Sequence, residues 1–181
     1  MNDRYNHVFA SAEVNGKKVE VLQDTDPLDP REWEHDSLMI CFHRKYRLGD
    51  TNTGYKEADF DGWNEVYDQL RLDDYKTILA LYLYDHSGIS ISARSFVGRA
   101  PHAEWDSGQV GFIVDKEEGV EERLIAEVEE YDNYLQGNVY SARVYEIKTC
   151  EHCNHSEEEV YEYIGGYYSV EEALEAGKEV A

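Results

Sequence analysis

The stretch that most constrains the fold is Ile78 to Tyr84, the most apolar in the chain, which is followed by Asp85-His86-Ser87-Gly88 and then by alternating Ile89 and Ile91. A short apolar run bounded by turn residues reads as a buried strand, and apolar residues two apart after the turn place a second strand beside it. The pair predicts a central hairpin. Other segments join this pattern. Val8 to Leu22 reads as two strands around Asn15-Gly16, because both turn residues tolerate positive φ. Leu38 to Phe42, Val110 to Val114 and Val139 to Ile147 read as further strands.

Two segments carry helical spacing. Trp63, Val66, Tyr67 and Leu70 recur on one face of Asp61 to Leu72, and Leu124, Val128, Tyr131 and Leu135 form a stripe along Gly119 to Leu135, which Gly137 ends. Ser169-Val-Glu-Glu has the pattern of a capping box and opens a last short helix. Asp24 to Asp36, with Pro27, Pro30 and one base among many acids, reads as an exposed acidic connection; Gly49 to Gly54 is loop, and Tyr161 to Tyr168 is aromatic and broken by glycine. The expected fold is α+β, a mainly antiparallel sheet with two or three helices packed on it. Residues 1–181 read as a single domain without internal repeats, and 115–181 as its most acidic part.

Charge bounds the function. The chain has 39 Asp and Glu against 17 Lys and Arg. Residues 1–114 carry 20 acids and 12 bases, whereas 115–181 carry 19 acids and 5 bases. Such a field repels nucleic acid and membrane surfaces and favours basic partners, so direct nucleic-acid binding is not expected. A plain solvated acidic surface is the bland alternative. With 15 Tyr, 5 Phe and 3 Trp the chain has the aromatic content of a folded protein despite its charge. Met1 to Tyr5 lacks the regions of a signal peptide, no apolar run approaches the roughly 20 residues of a membrane span, and a cytoplasmic location is expected. Three cysteines do not suggest a disulfide framework, and Cys41 reads as a small apolar residue of its strand.

Three constellations could carry function. The first is the acidic helix with its approach: Glu117, Glu118, Glu121, Glu122, Glu127, Glu129, Glu130 and Asp132. Duplex DNA presents one phosphate charge per about 1.7 Å, and a helix rises about 1.5 Å per residue, so carboxylates on successive turns approach a phosphate-like density. Glu157 to Glu159, Glu162, Asp24, Asp26 and Asp29 strengthen this mimicry only if they share the helix's face. Otherwise the helix simply shows a solvated side. The second is Cys150, Cys153 and His155, half of a zinc knuckle with a third ligand; a fourth would come from His152, His7, His35 or another subunit. Its plain alternative is a loop with idle thiols, so no cofactor is expected and zinc is the one candidate. The third gathers His43, Asp85-His86-Ser87 and Asp106-Ser107 with Gln109. A small hydrolytic domain on His43, His86 and Asp106 is the enzyme alternative, although a working triad joins separate elements and no Gly-x-Ser-x-Gly elbow is present. There is no Walker loop or dinucleotide fingerprint. Arg44, Lys45 and Arg47 are expected to pair with nearby acids.

The strings CFHRKYRLGD (41–50), LYLYDHSGISIS (81–92), WDSGQVGFI (105–113) and YDNYLQGNVY (131–140) resemble those of small acidic proteins carried by phages and mobile elements of gut-type bacteria. The likeness spans about Val19 to Tyr168. Such proteins often serve counter-defence, and the size and charge are similar to anti-CRISPR inhibitors of Cas9. The resemblance implies a binding protein without catalytic residues, located in a bacterial host's cytoplasm. Its acidic surface would occupy the positively charged channel or the motif-reading arginines of a Cas9-type nuclease. It implies Glu118, Glu121, Glu122, Glu129 and Glu130 as contacts, with Tyr131, Tyr134 and Tyr161 as anchors at the rim. An antirestriction-type inhibitor of another DNA-binding enzyme differs only in its target.

Overall fold

The computed structural model describes residues 7–149, 152 and 156–181. In chain order the elements are β1 (Ala10–Val14), β2 (Lys17–Gln23), β3 (Leu38–Cys41), α1 (Trp63–Leu72), β4 (Thr77–Asp85), β5 (Ile89–Ser92), α2 (Ala103–Asp106), β6 (Ser107–Asp115), α3 (Glu121–Gln136), β7 (Tyr140–Thr149), β8 (Ser156–Tyr167) and α4 (Val170–Val180). The fold is α+β with antiparallel strand pairing throughout the two sheets. Where one sheet was expected there are two, because the chain groups into two compact units: Met1–Leu28 with Gly137–Ala181, and Asp29–Gln136.

The first unit is a sheet of order β1-β2-β7-β8 with α4 packed on it. Asn15 and Gly16, at φ 52° and 79°, make the tight turn between β1 and β2 that their residue types favour. Val19, Ala142 and Val144 are fully buried against Leu174 of α4. Helix and sheet approach closely at Gly177, where a Cβ would stand 2.5 Å from Val19 Cγ1. The serine half of the capping box forms: the Ser169 hydroxyl accepts the Glu172 amide N–H at 3.1 Å. Strand β8 begins well before the aromatic Tyr161 to Tyr168 segment and contains the run Glu157 to Glu159. Cross-strand partners hold these acids in the sheet. Glu158 meets Lys18 at 3.1 Å, and Glu159 forms an ion pair with Lys148.

The second unit is a sheet of order β3-β6-β4-β5 with a helix on each face. Met39, Leu81, Leu83, Val110 and Ile113 pack with Leu124, Val128 and Tyr131 of α3. Their neighbours Ile40, Phe112 and Val114 pack with Val66 and Leu70 of α1. Successive side chains of a strand point to opposite faces, so a sheet covered on both sides needs apolar residues at every position. That is why Leu38 to Phe42, Ile78 to Tyr84 and Val110 to Val114 are continuous apolar runs. The connection Asp24 to Asp36 departs from expectation, since Pro30 and Arg31 within it are buried.

Candidate functional site

Burial sorts the acids of α3. Leu124, Val128 and Tyr131 point at the sheet, so residues a half-turn away point at solvent. Glu117, Glu118, Glu121, Glu122 and Glu129 are exposed and Glu130 is half-buried. Glu127 and Asp132 flank the core stripe instead. Glu127 accepts Arg31 Nη1 at 3.0 Å and Arg123 Nη1 at 3.1 Å, and it also accepts the Ser37 hydroxyl. Arg123 Nη2 bonds Asp115 at 2.7 Å, and Lys116 lies 5.6 Å over the Tyr75 ring. Both bases of the segment therefore have inward or sideways partners, and among the described residues no hydrogen bond or ion pair engages the carboxylates of Glu117, Glu118, Glu121, Glu122 and Glu129. Tyr131, named above as a rim anchor, is 2% exposed and accepts the Gly49 N–H at 3.0 Å; burial pushes its phenol up to about 12. Tyr134 stacks beside it. Tyr161 belongs to the other unit, where Lys17 lies 3.4 Å over its ring.

Asp132 is structural in this position. Its carboxylate accepts the Ile91 N–H of the edge strand β5 at 2.7 Å and Gln136 Nε2 at 2.6 Å. Burial raises its pKa above the usual carboxylate value, against the opposing effect of those hydrogen bonds. A raised folded-state value means that Asp132 contributes most below its unfolded pKa of about 4, and that the contribution is lost as pH rises through the folded value. Asp132→Asn should therefore lose less stability than the wild type as pH rises above about 4. Urea unfolding at each pH reads this directly, and parallel curves for the two proteins would contradict it.

The polar group around β4 is partly assembled. His86 Nδ1 lies 2.7 Å from Asp106 Oδ2, with the Tyr84 ring stacked on the imidazole and His102 5.9 Å away. The pair joins the β4–β5 turn to α2, elements well separated in sequence. His43 lies apart from this pair, stacked on Tyr46, whose hydroxyl bonds Asp85 at 3.0 Å. Lys45, alone of the basic cluster in having an acidic partner among the described residues, bonds the same carboxylate at 3.1 Å, and Lys45 with Tyr46 holds the Asp85 pKa below its usual value. A carboxylate-held imidazole can move a proton, yet among the described residues no hydroxyl or thiol is hydrogen-bonded to His86. Ser87 sits at φ 60° in the exposed turn, and the Ser107 hydroxyl donates to Ala103 O at 2.6 Å.

Cys150, Cys153 and His155 lie outside the described residues. Among the described residues no three His, Cys, Asp or Glu side chains gather as a metal site. Burial pushes the Cys41 thiol up to about 12, which suits an unreactive packing residue. Of the additional acids, Asp24 accepts Tyr163 Oη at 3.3 Å and the Gly166 N–H at 3.2 Å, while Asp29 accepts the Arg31 N–H at 2.8 Å. Asp24 and Glu157 to Glu159 belong to the first unit and α3 to the second.

The polar centre that sequence reasoning missed is Arg31. Its Nε and Nη2 grip Asp50 at 2.8 and 2.9 Å while Nη1 reaches Glu127. Asp50 also accepts the Met39 N–H at 2.7 Å, so the fork is tied to β3. Nothing in the local sequence marks Arg31 as buried. No protein-family model, curated protein or solved structure matches this chain. Among the described residues no helix is long and apolar enough to cross a membrane.

Proposed function

We propose that this protein is a charge-directed inhibitor that lays the outer face of α3 on a basic, nucleic-acid-handling surface of another protein and blocks DNA binding or cleavage. A Cas9-type nuclease is the target that the resemblance of the sequence implies. One observation carries the reading: Glu117, Glu118, Glu121, Glu122 and Glu129 face solvent while Arg123 and Lys116 are turned to other partners. Unneutralised carboxylates on a rigid element complement a positive channel, steer encounter and lose strength with salt. The helix bears fewer outward acids than its sequence suggests, since Glu127 and Asp132 are used internally. The contact therefore depends on the N-terminal turn and its approach more than on the whole helix.

The test is binding to guide-loaded Cas9 by gel filtration at about 0.05 and 0.5 M salt, with DNA cleavage followed alongside. Binding should weaken at high salt. Joint reversal of Glu118, Glu121, Glu122 and Glu129 to Lys should abolish inhibition, with circular dichroism confirming that the helix remains. His86→Ala should inhibit as the wild type does. Full inhibition by the fourfold variant, or loss of inhibition in His86→Ala, would overturn the reading.

A further inference from the structure

On the α1 side of the second unit, opposite the face covered by α3, three aromatic rings and two carboxylates meet in an open cleft of about 200 Å³. Phe42 follows β3, Phe60 follows the short turn Glu57–Asp59, and Trp63 opens α1 above Val66, while Glu57 and Asp61 complete the lining. The volume is below that of ordinary small-molecule pockets and suits a single side chain.

The rings stack on one another in near-parallel planes. Phe42 and Trp63 lie within 10° of parallel with centroids 5.8 Å apart, and Phe42 and Phe60 within 22° at 6.4 Å. All three rings are half-buried, whereas Glu57 and Asp61 are exposed. Among the described residues neither carboxylate has a hydrogen bond or ion pair; the Asp61 contact at this point is its backbone N–H, donated to Glu65 at 2.7 Å. Phe60 also lines a neighbouring cleft with Tyr55, Asp59 and Asp73, so aromatic and acidic character continue along the surface.

Each part of this lining selects against other occupants. Aromatic faces carry negative potential and attract cations, and carboxylates do the same at longer range. An anion is repelled by both. A purely apolar group would strip water from carboxylates without replacing it. An ammonium is satisfied as a point charge, but a guanidinium is planar, stacks on ring faces and presents a fork of N–H donors to carboxylates.

We propose that this cleft is a receptor for an arginine side chain of a protein partner, with Phe42, Phe60 and Trp63 taking the guanidinium plane and Glu57 and Asp61 accepting its N–H groups. The site lies on the other side of the sheet from α3 and does not depend on the inhibitor reading. It supplies a specific anchor where the acidic helix supplies long-range attraction.

The experiment titrates Nα-acetyl-arginine amide into the full chain carrying Trp33→Phe and Trp105→Phe, so that fluorescence reports Trp63 alone. Saturable binding with a dissociation constant of about 1 mM is expected. The citrulline analogue, which has the same shape without the charge, should bind at least about tenfold more weakly, and Glu57→Gln with Asp61→Asn should weaken arginine binding at least about fivefold. These carboxylates are exposed, so the double variant keeps the fold. Equal binding of citrulline and arginine, binding unchanged by the double variant, or no saturation at all would overturn the proposal. Arginine binding that survives in a protein failing to bind Cas9 would defeat the target and leave this site standing.

Discussion

Arg31→Ala is expected to lower the unfolding free energy by about 3–5 kcal/mol, the largest effect of any single polar substitution in the second unit. The Arg31 side chain is 2% exposed, and it is the base shared by Asp50 and Glu127, whose side chains are 14% and 13% exposed. Two largely desolvated carboxylates would lose their common cation at once. Asp50 would still hold the Met39 N–H, and Glu127 would keep Arg123, Ser37 and, at 3.6 Å, His35 around a vacated space. The cost arises from the stranded charges rather than from any large net gain of the native pair. Arg31→Lys separates charge from geometry, since a point ammonium cannot make the double contact with Asp50 and the bond to Glu127 together. It should lie between alanine and wild type. Urea unfolding of the three proteins measures this, and a loss below about 1 kcal/mol for Arg31→Ala would place the group among ordinary surface pairs.

Gly111→Ala should be the most damaging substitution among the glycines. Gly111 lies in the central strand β6, paired with Cys41 on one side and Leu81 on the other. A Cβ there would stand 1.9 Å from Ile40 O, 2.9 Å from Ile40 C and 3.0 Å from Cys41 Cα. All three are backbone atoms, so no side chain can swing aside; β3 itself would have to move. On its other side the β4–β6 register shifts between Leu81 and Tyr82, so the strand is already irregular here. A cost of about 3 kcal/mol or more is expected. Gly108→Ala is the control in the same strand, because nothing lies within 4 Å of its Cβ position. Thermal melts of the two variants should differ widely, and a similar small change in both would show that β3 yields easily.

Local rules made much of this fold legible. The Asn15-Gly16 hairpin, the Ser169 cap and the stripes of α1 and α3 follow from residues a few positions apart. What was not legible depends on distant partners. Arg31 meets Asp50 and Glu127 across 19 and 96 residues, and a composition that read as an exposed loop gave no sign of it. The acidic run of β8 counted in sequence only toward a possible shared acidic face, and its lysine partners on β2 and β7 appear only once the strands are in register. Glu127 and Asp132 fell within an acidic helix by composition, and only the direction of the core stripe separates them from Glu122 and Glu129. His86 and Asp106 were grouped from sequence and do meet, whereas His43 belongs to a different contact with Tyr46. The aromatic cleft was hidden because Trp63 read as a core residue and Phe42 as the end of a strand.

The division of the chain has a consequence for how the protein is made. The second unit is one continuous stretch, whereas the first is assembled from both ends of the chain, with β2 joined to β7 from Gln23↔Tyr140 to Lys17↔Glu146. During synthesis β1 and β2 emerge early and wait as an isolated hairpin, which is marginally stable alone, until everything through β7 has left the ribosome. Closing so long a connection as flexible chain would cost roughly 4 kcal/mol of loop entropy. A second unit already folded would hold Asp29 and Gln136 at a set separation and remove most of that cost. The order of assembly is thus written into the connectivity: the middle of the chain first, the two ends afterwards, with the waiting hairpin the stage most exposed to mispairing.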